Sequence, residues 1–169
     1  PIYYNDVGTN PNLAWNYNND YTEVSGSFAP NQTASVQNVS VYLQISGSPS
    51  FNFVAELWAA DANGYPTGSA LATSGSYSMP ADFAGNGFNN YTFTSPYEVT
   101  SGTEYVVVLK KTSGSSSSSN YFSWYFDPTG IYTTAHQNTG AGWTAQDLSS
   151  NPRLIVWATE VPAVNFTIS

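Results

Sequence analysis

The chain has 169 residues, which is long enough to bury the core of one domain. Hydrophobic residues make up 41% of it and aromatic residues 16%, which indicates a globular rather than a disordered protein. Only 8% of the residues are charged, and the net charge is −8. Because three basic residues cannot neutralise a phosphate backbone or an anionic membrane surface, the composition argues against nucleic-acid partners. No apolar run approaches the roughly 18 residues of a spanning helix, so membrane insertion is not expected.

The chain contains no cysteine, which removes disulfides, thiolate nucleophiles and cysteine metal sites. It begins at Pro1 rather than at methionine, which favours a processed mature protein or an excised fragment. A surface made of Ser, Thr, Asn and Tyr instead of charged side chains is common in secreted β proteins. We therefore expect an extracellular location, at a cell or virion surface.

The first twenty residues are rich in Asn and Tyr and have poor periodicity, which predicts an edge strand followed by a covering loop. A core domain is expected over residues 21–160. It begins with a strand over 21–28 that ends before Pro30.

The next two segments alternate strictly between apolar and polar residues, which predicts two strands with one buried face each. In residues 36–46 the side chains expected to face the core are Val39, Val41, Leu43 and Ile45. In residues 51–60 they are Phe51, Phe53, Ala55 and Leu57. The same alternation places Ser40, Tyr42, Gln44, Glu56 and Trp58 on the outward faces.

A turn cluster over residues 61–68 and a returning segment over 70–77 lead through a loop to residues 89–111. That stretch predicts a strand stopped by Pro96, a corner, and a central strand over 105–109.

Later segments predict a flexible serine-rich hairpin tip over 113–119, an aromatic strand over 121–126, a short strand over 131–136, and a last core strand over 153–159. Helical spacing is missing from the sequence. Short strands at a spacing of about 8–12 residues predict an all-β protein, a single jelly-roll-like antiparallel β-sandwich with extra terminal strands.

Several short motifs occur in a fixed order along the chain: Asp61–Gly68 (DANGYPTG), Tyr91-Thr92-Phe93, Pro96–Leu109, Trp124-Tyr125 and Gly140–Trp143 (GAGW). In this order they resemble a jelly-roll module that recurs in bacterial and phage surface and adhesion proteins and is similar to carbohydrate-binding modules. The resemblance covers roughly residues 25–158. It implies a role in surface display, adhesion or carbohydrate binding, and it brings no catalytic set.

Catalytic chemistry has little support in the sequence. His136 is the single histidine and lies in a polar loop, where a solvated surface role is the simplest interpretation. Glu56 is an acid inside a predicted strand with aromatic neighbours, but no partner carboxylate for glycoside hydrolysis is evident. We therefore expect a protein that is not an enzyme and has no cofactor. A glycan-cleaving enzyme centred on Glu56 is a third, less favoured hypothesis.

Asp61 and Asn63 have the spacing that begins a calcium-binding loop, but the bidentate Glu of such a loop does not follow. An Asn-Gly turn explains the same residues without a metal, and this is the favoured interpretation. A site built from separate loops by Asp82, Asp127 and Asp147 stays open.

Trp58, Trp124 and Trp143 are candidates for stacking on sugar rings, although core or edge packing is the favoured interpretation of each. Four N-x-S/T sequons mark glycosylation candidates: Asn31, Asn38, Asn90 and Asn165.

Residues 161–169 alternate strictly after Pro162, which predicts a separate C-terminal strand. This strand folds back on its own sheet, leads to a further domain, or adds to the sheet of another subunit, as the N-terminal segment could also do. The candidate contact residues are Val164, Phe166, Ile168, Ile2 and Tyr4.

Together these features predict a non-enzymatic extracellular structural or adhesive subunit of a surface assembly. It would self-associate into a homo-oligomer or filament by sharing a terminal strand, and it would be glycosylated. The alternative is a carbohydrate-binding module that uses exposed tryptophans.

Overall fold

The computed structural model describes residues 1–6, 15–17, 21–137 and 141–160. Within these ranges the regular structure is entirely β, and no helix is present that could cross a membrane. The strands are β1 Tyr3–Asn5, β2 Trp15–Tyr17, β3 Glu23–Phe28, β4 Ala34–Ser46, β5 Ser50–Ala60, β6 Pro66–Thr73, β7 Tyr77–Met79, β8 Gly87–Val99, β9 Tyr105–Ser115, β10 Tyr121–Trp124, β11 Phe126–Gln137, β12 Thr144–Pro152 and β13 Leu154–Glu160.

The strands form two antiparallel sheets. Sheet A has the order β1-β13-β4-β10-β2, with β8 along the other edge of β4. β13 and β10 lie end to end on the same edge of β4, since β13 pairs with residues 34–41 and β10 with residues 43–46. Sheet B has the order β12-β11-β3-β9-β5-β6, with β7 also paired to β5.

The two sheets enclose a common core, which confirms the all-β sandwich. Val39, Val41 and Leu43 of β4 are fully buried, as are the inward residues of β5, because alternate residues of a pleated strand face the same side. Aromatic rings join the two layers: Phe53 of β5 lies 5.3 Å from Tyr91 of β8 and 6.0 Å from Phe122 of β10, centroid to centroid.

β9 is the central strand that the sequence predicted. It lies between β3 and β5, and Tyr105 to Leu109 are all buried. A strand buried on both faces shows a continuous run of apolar side chains, as seen here.

Among the boundaries that differ from the prediction, two have a clear physical reason. β8 does not stop at Pro96, because residues 93–96 bulge between the Asn38–Thr92 and Val36–Tyr97 pairs, where the missing N–H of proline breaks no ladder bond. The serine-rich segment is not a free tip at its start either, since Gly114 and Ser115 of β9 pair with β5.

Three strands were not predicted, and one of them is β7, which pairs with β5 where the sequence predicted the end of a returning segment and a loop. β2 pairs with β10 inside the segment that we expected to be a loop, and β12 pairs with β11 where the sequence shows no clean alternation. β11 and β12 pair through several bulges, and such irregular pairing removes the period-2 pattern from the sequence.

Candidate functional site

The outer face of sheet A carries a group of aromatic side chains that we call the aromatic face: Tyr4, Tyr42, Phe88, Tyr125 and Trp157. The alternation of side chains along β4 and β13 places them on this face. Leu154 and Val156 of β13 point into the core, so Ile155 and Trp157 point outward. Ser40 and Tyr42 of β4 point outward for the same reason, as predicted.

Trp157 lies at one end of the aromatic face with 40% of its surface exposed. Its indole Nε1 donates to Ser40 Oγ at 2.9 Å, and Ser40 Oγ donates to Asn90 Oδ1 at 3.0 Å. These two hydrogen bonds join β13, β4 and β8. The indole is therefore held in one orientation while much of its ring stays accessible.

Tyr42 lies at the other end of the aromatic face, in the middle of a cluster of three aromatic rings. Its ring meets those of Phe88 and Tyr125 edge to face, at centroid distances of 5.4 Å and 5.5 Å. The Tyr125 hydroxyl donates to Gln44 Oε1 at 2.6 Å, and burial raises the pKa of Tyr125. The aromatic cluster is thus packed and hydrogen-bonded in place.

Arg153 covers this cluster. Its guanidinium lies 3.6 Å from the centroid of the Tyr42 ring, which is a cation–π contact. Its Nη2 donates to Asp6 Oδ1, and the Tyr4 hydroxyl donates to Asp6 Oδ2 at 3.4 Å. The charge of Arg153 is therefore neutralised by Asp6, and the pair links β1 to the cluster.

The aromatic face consequently combines one open indole ring with a packed aromatic cluster, and hydroxyl and amide groups lie beside both. Such a surface suits a ligand that combines apolar C–H faces with hydroxyl groups, since aromatic rings contact the first and Ser, Asn and Gln side chains bond the second.

Trp157 is a site residue that the sequence did not reveal, because residues 153–159 are predicted to form a core strand. The signal was present: strict alternation of Leu154 and Val156 as inward residues makes Trp157 an outward one.

The three predicted sugar-stacking tryptophans occupy other places. Trp124 is only 3% exposed and its Nε1 donates to Arg153 O at 3.2 Å, so it is a core residue whose ring faces no solvent. Trp58 and Trp143 are half-buried, on sheet B and on the approach to β12. Trp58 Nε1 donates to Glu56 Oε2 at 2.9 Å.

Glu56 has a carboxylate neighbour that the sequence did not reveal. The pKa of Glu23 of β3 is raised, mainly by burial. Glu56 lies near enough for its negative charge to add to this rise, whereas Lys110 lowers the pKa of Glu23. Lys110 Nζ lies 3.3 Å from Glu23 Oε1. Glu56 is 8% exposed and the Glu23 side chain 13%, so a glycan chain has little access to either carboxylate.

The predicted calcium ligands form turns. Asp61 Oδ1 accepts the backbone N–H groups of Asn63 at 2.8 Å and Tyr65 at 2.9 Å, which is the arrangement of an Asx turn. The other loop acids also accept local N–H groups: Asp82 from Ser78, Asp127 from Thr129, and Asp147 from Ser149. Among the described residues, no cluster of three His, Cys, Asp or Glu side chains is placed to hold a metal.

The sequons lie in different surroundings. Asn31 and Asn90 are exposed, and Asn38 is half-buried opposite Trp157. Asn165 lies outside the described residues, as do the contact candidates Val164, Phe166 and Ile168. The side chain of His136 is also outside them.

The N-terminal contact candidates pair within the chain. Ile2 is 2% exposed and its N–H donates to Val156 O at 2.9 Å, so it belongs to the protein's own core. Tyr4 pairs with Ile155 through β1 and keeps its ring exposed. β1 thus forms an edge of sheet A, and Ile2 is not available to a second subunit while it stays there.

A cavity of about 270 Å³ lies away from the aromatic face, where the β5–β6 turn meets β11 and β12. Its lining includes Glu104, Thr133 and the exposed side chains of Ile131 and Leu148. Thr133 Oγ1 donates to Asn63 O at 2.8 Å, which closes the floor of the cavity. Its lining combines the Glu104 carboxylate with the polar side chains of Asn63 and Thr133.

Comparison with known proteins assigns the chain to a family but not to an activity. No curated protein matches the chain. A family model described as "Domain of unknown function (DUF4082)" matches residues 8–156, which includes all of β2 to β12 and most of sheet A. Because this match covers most of the chain, the protein belongs to the DUF4082 family.

Proposed function

We propose that this protein is a non-enzymatic extracellular adhesion module that binds carbohydrate on the aromatic face. The observation that carries the proposal is the placement of Trp157, with its ring open and its Nε1 held by Ser40, on the same outer face as the Tyr42 cluster.

The chemistry of this face favours a sugar over other ligands. A net charge of −8 disfavours anionic ligands in general, and the one arginine of the face is already paired with Asp6. Tryptophan and tyrosine supply stacking area together with a polar group, which a sugar ring with its C–H faces and hydroxyl edges can use. The exposed amide of Asn90 and the half-buried amide of Gln44 supply hydrogen-bonding groups on the same face.

The proposal is consistent with the described residues, among which no suitable catalytic pair lies on this face. Its carboxylate, Asp6, is engaged by Arg153 and by Tyr4. Glu56 and Glu23 lie on the other sheet and are largely covered. Binding without cleavage is therefore the favoured mode.

Three tryptophan variants test this assignment. Binding of the purified protein to a panel of soluble polysaccharides is measured by affinity electrophoresis and titration calorimetry. We expect Trp157→Ala to reduce binding at least ten-fold, which corresponds to about 1.4 kcal/mol. We expect Trp58→Ala and Trp143→Ala, the matched controls, to bind like the parent protein.

Failure of all glycans to bind would refute the proposal, and so would a loss confined to the Trp58 or Trp143 variant. Trp157 is 40% exposed but its indole also bonds Ser40, so thermal unfolding of the Trp157→Ala variant is measured first and binding is compared well below its Tm, so that lost binding is not lost folding.

We propose in addition that the protein self-associates by strand addition, because one edge is incompletely covered in the described part of the chain. β1 pairs with Leu154 to Val156 of β13, whereas β13 continues to Glu160. The alternating tail that follows is the candidate donor.

Light scattering after size-exclusion chromatography tests the assembly. We expect oligomers or filaments of the parent chain, which aspartate substitutions at Val164, Phe166 and Ile168 should disperse. Aspartate at Asn165 and Thr167, on the alternate face, serves as the control. A monomeric parent chain over the whole accessible concentration range would contradict the idea.

A further inference from the structure

The cavity where the β5–β6 turn meets β11 and β12 has an apolar rim that the proposed carbohydrate binding does not use. Ile131 is 82% exposed and Leu148 is 59% exposed, and both line the cavity. They are two of the four large hydrophobic side chains that are exposed in the described part of the chain. Exposed apolar side chains that stand together, rather than singly, are typical of a contact surface.

Irregular pairing between β11 and β12 turns both rim residues outward. Ile131 and Leu148 each lie at a point where the register of the two strands shifts, and such bulges re-aim side chains near functional sites. The backbone around them is held by hydrogen bonds. The Ile131 N–H donates to Asn151 Oδ1 at 3.2 Å, and the Ser149 N–H donates to Asp147 Oδ1 at 2.8 Å. The rim is therefore held in place before any ligand binds.

The inner end of the cavity holds a carboxylate. Gly64 of the β5–β6 turn has a φ of +77°, and a Cβ there would lie 2.7 Å from Thr133 Oγ1 and 3.1 Å from Glu104 Oε1. Gly64 thus allows the turn to approach β11 and the carboxylate closely. Gly64 and Thr133 are buried and Glu104 is half-buried, so the carboxylate lies below the exposed rim.

The Glu104 carboxylate has no cationic partner in the protein. The chain has three lysine and arginine residues, and two of them form ion pairs elsewhere: Lys110 with Glu23, and Arg153 with Asp6. Within the ranges that the structure describes, no ion pair joins Glu104 to a lysine or arginine. Because the net charge of the chain is −8, its field attracts cationic groups to this carboxylate.

We infer that the cavity binds one lysine or arginine side chain of a partner protein, with the cationic group on Glu104 and the aliphatic stem against Ile131 and Leu148. Lysine and arginine carry a charged group on an apolar stem, which matches a carboxylate below an apolar rim. A hydrogen bond between two charged groups is also stronger than one between neutral groups.

The size of the cavity favours a single side chain. Its volume of about 270 Å³ is below the roughly 300–1,000 Å³ of pockets that enclose a whole small-molecule ligand. An amino sugar fits the rim less well, because its ammonium group is attached directly to a hydroxylated ring and has no alkyl stem. The inference concerns a second surface and does not rest on carbohydrate binding by the aromatic face.

Titration of the ¹⁵N-labelled protein followed by NMR tests the inference. The probes are N-acetyl-lysine amide and N-acetyl-arginine amide. N-acetyl-norleucine amide keeps an alkyl stem without the charge, and methylammonium keeps the charge without the stem. We expect the first two probes to give saturable shifts of the Gly64, Thr133 and Leu148 backbone amides. Their affinity should exceed that of either control by about five-fold or more.

Variants separate the contributions of charge and stem. Glu104→Gln should weaken binding of the lysine probe by about five-fold. Glu98→Gln removes the same charge from an exposed position on β8 of sheet A and should leave binding unchanged. Leu148→Ser should weaken the lysine probe without changing the response to methylammonium. Trp157→Ala, on the aromatic face, should bind the lysine probe like the parent protein.

Several outcomes would overturn the inference. Equal affinities for the lysine and norleucine probes, or equal losses in Glu104→Gln and Glu98→Gln, would remove the role of the carboxylate. Shifts spread over the surface instead of the cavity would remove the site. Tighter binding of chitosan oligomers at the same amides would overturn the assignment to a protein side chain. Since the polysaccharide panel reports on the aromatic face, either proposal can fail while the other stands.

Discussion

Replacing Phe53 by alanine tests whether the two sheets share one aromatic core. Phe53 is 2% exposed, and its ring lies between 5.3 and 6.2 Å from those of Phe51, Tyr77, Tyr91 and Phe122. A buried Phe→Ala change costs about 3–5 kcal/mol. Because four ring contacts are lost together, we expect a value of about 4–5 kcal/mol, given that aromatic pairs add roughly 0.5–1.5 kcal/mol each.

Urea denaturation followed by tryptophan fluorescence measures this change. A loss of about 4–5 kcal/mol should lower the Tm by roughly 8–20 °C in a protein of this size. Phe53→Leu, which keeps most of the volume, should cost less than about 1.5 kcal/mol. Ile131→Ala, at a position that is 82% exposed, should stay within about 0.5 kcal/mol of the parent. A cost below about 1.5 kcal/mol for Phe53→Ala would refute the shared core.

Three further predictions concern charge, backbone and metal. Burial raises the pKa of Glu23, so its protonated form stabilises the fold at low pH and this contribution is lost as the pH rises through the folded-state pKa. The unfolding free energy of Glu23→Gln should therefore rise relative to that of the parent between pH 4 and pH 7. If the ion pair with Lys110 dominated, the variant would instead lose unfolding free energy relative to the parent as the pH rises. That result would contradict the burial argument. Gly114 and Gly102 both have positive φ, but a Cβ at Gly114 would lie 2.5 Å from the β5 backbone while one at Gly102 meets nothing within 4 Å. Gly102→Ala should lower the unfolding free energy by about 1–2 kcal/mol, because its backbone is left-handed. Gly114→Ala should lower it by clearly more, because the clash is added. Equal losses in thermal unfolding would show that the clash is relieved. Asp61 caps a turn through two N–H groups, so Asp61→Ala should cost about 1 kcal/mol, and the Tm of the parent protein should be the same with calcium and with EDTA; a calcium-dependent rise would restore the metal hypothesis.

Predictions from the sequence succeeded where the controlling pattern is local. Alternation in residues 36–46 and 51–60 placed Val39, Val41, Phe53 and Leu57 inward, and all four are buried. The pleat alone determines this, since neighbouring side chains of any strand point to opposite faces.

Predictions failed where a distant strand decided the outcome. Pro96 was expected to end its strand, yet β4 offers a bulge in which proline breaks no hydrogen bond. Trp124 was a stacking candidate with core packing as the favoured interpretation, and packing between the sheets does bury it. Neither the bulge nor the opposing layer is visible in the residues around those positions.

The same division applies to the candidate site. By itself the sequence determined that Tyr42 and Ser40 face outward, and the alternation of Leu154 and Val156 contained the same information for Trp157. Only the tertiary structure placed Trp157 against Ser40, 117 positions away, and Arg153 on the ring of Tyr42. The physical reason is that the side to which a residue points follows from its own strand, whereas its neighbours depend on strand order and register, which are fixed by the packing of the whole chain.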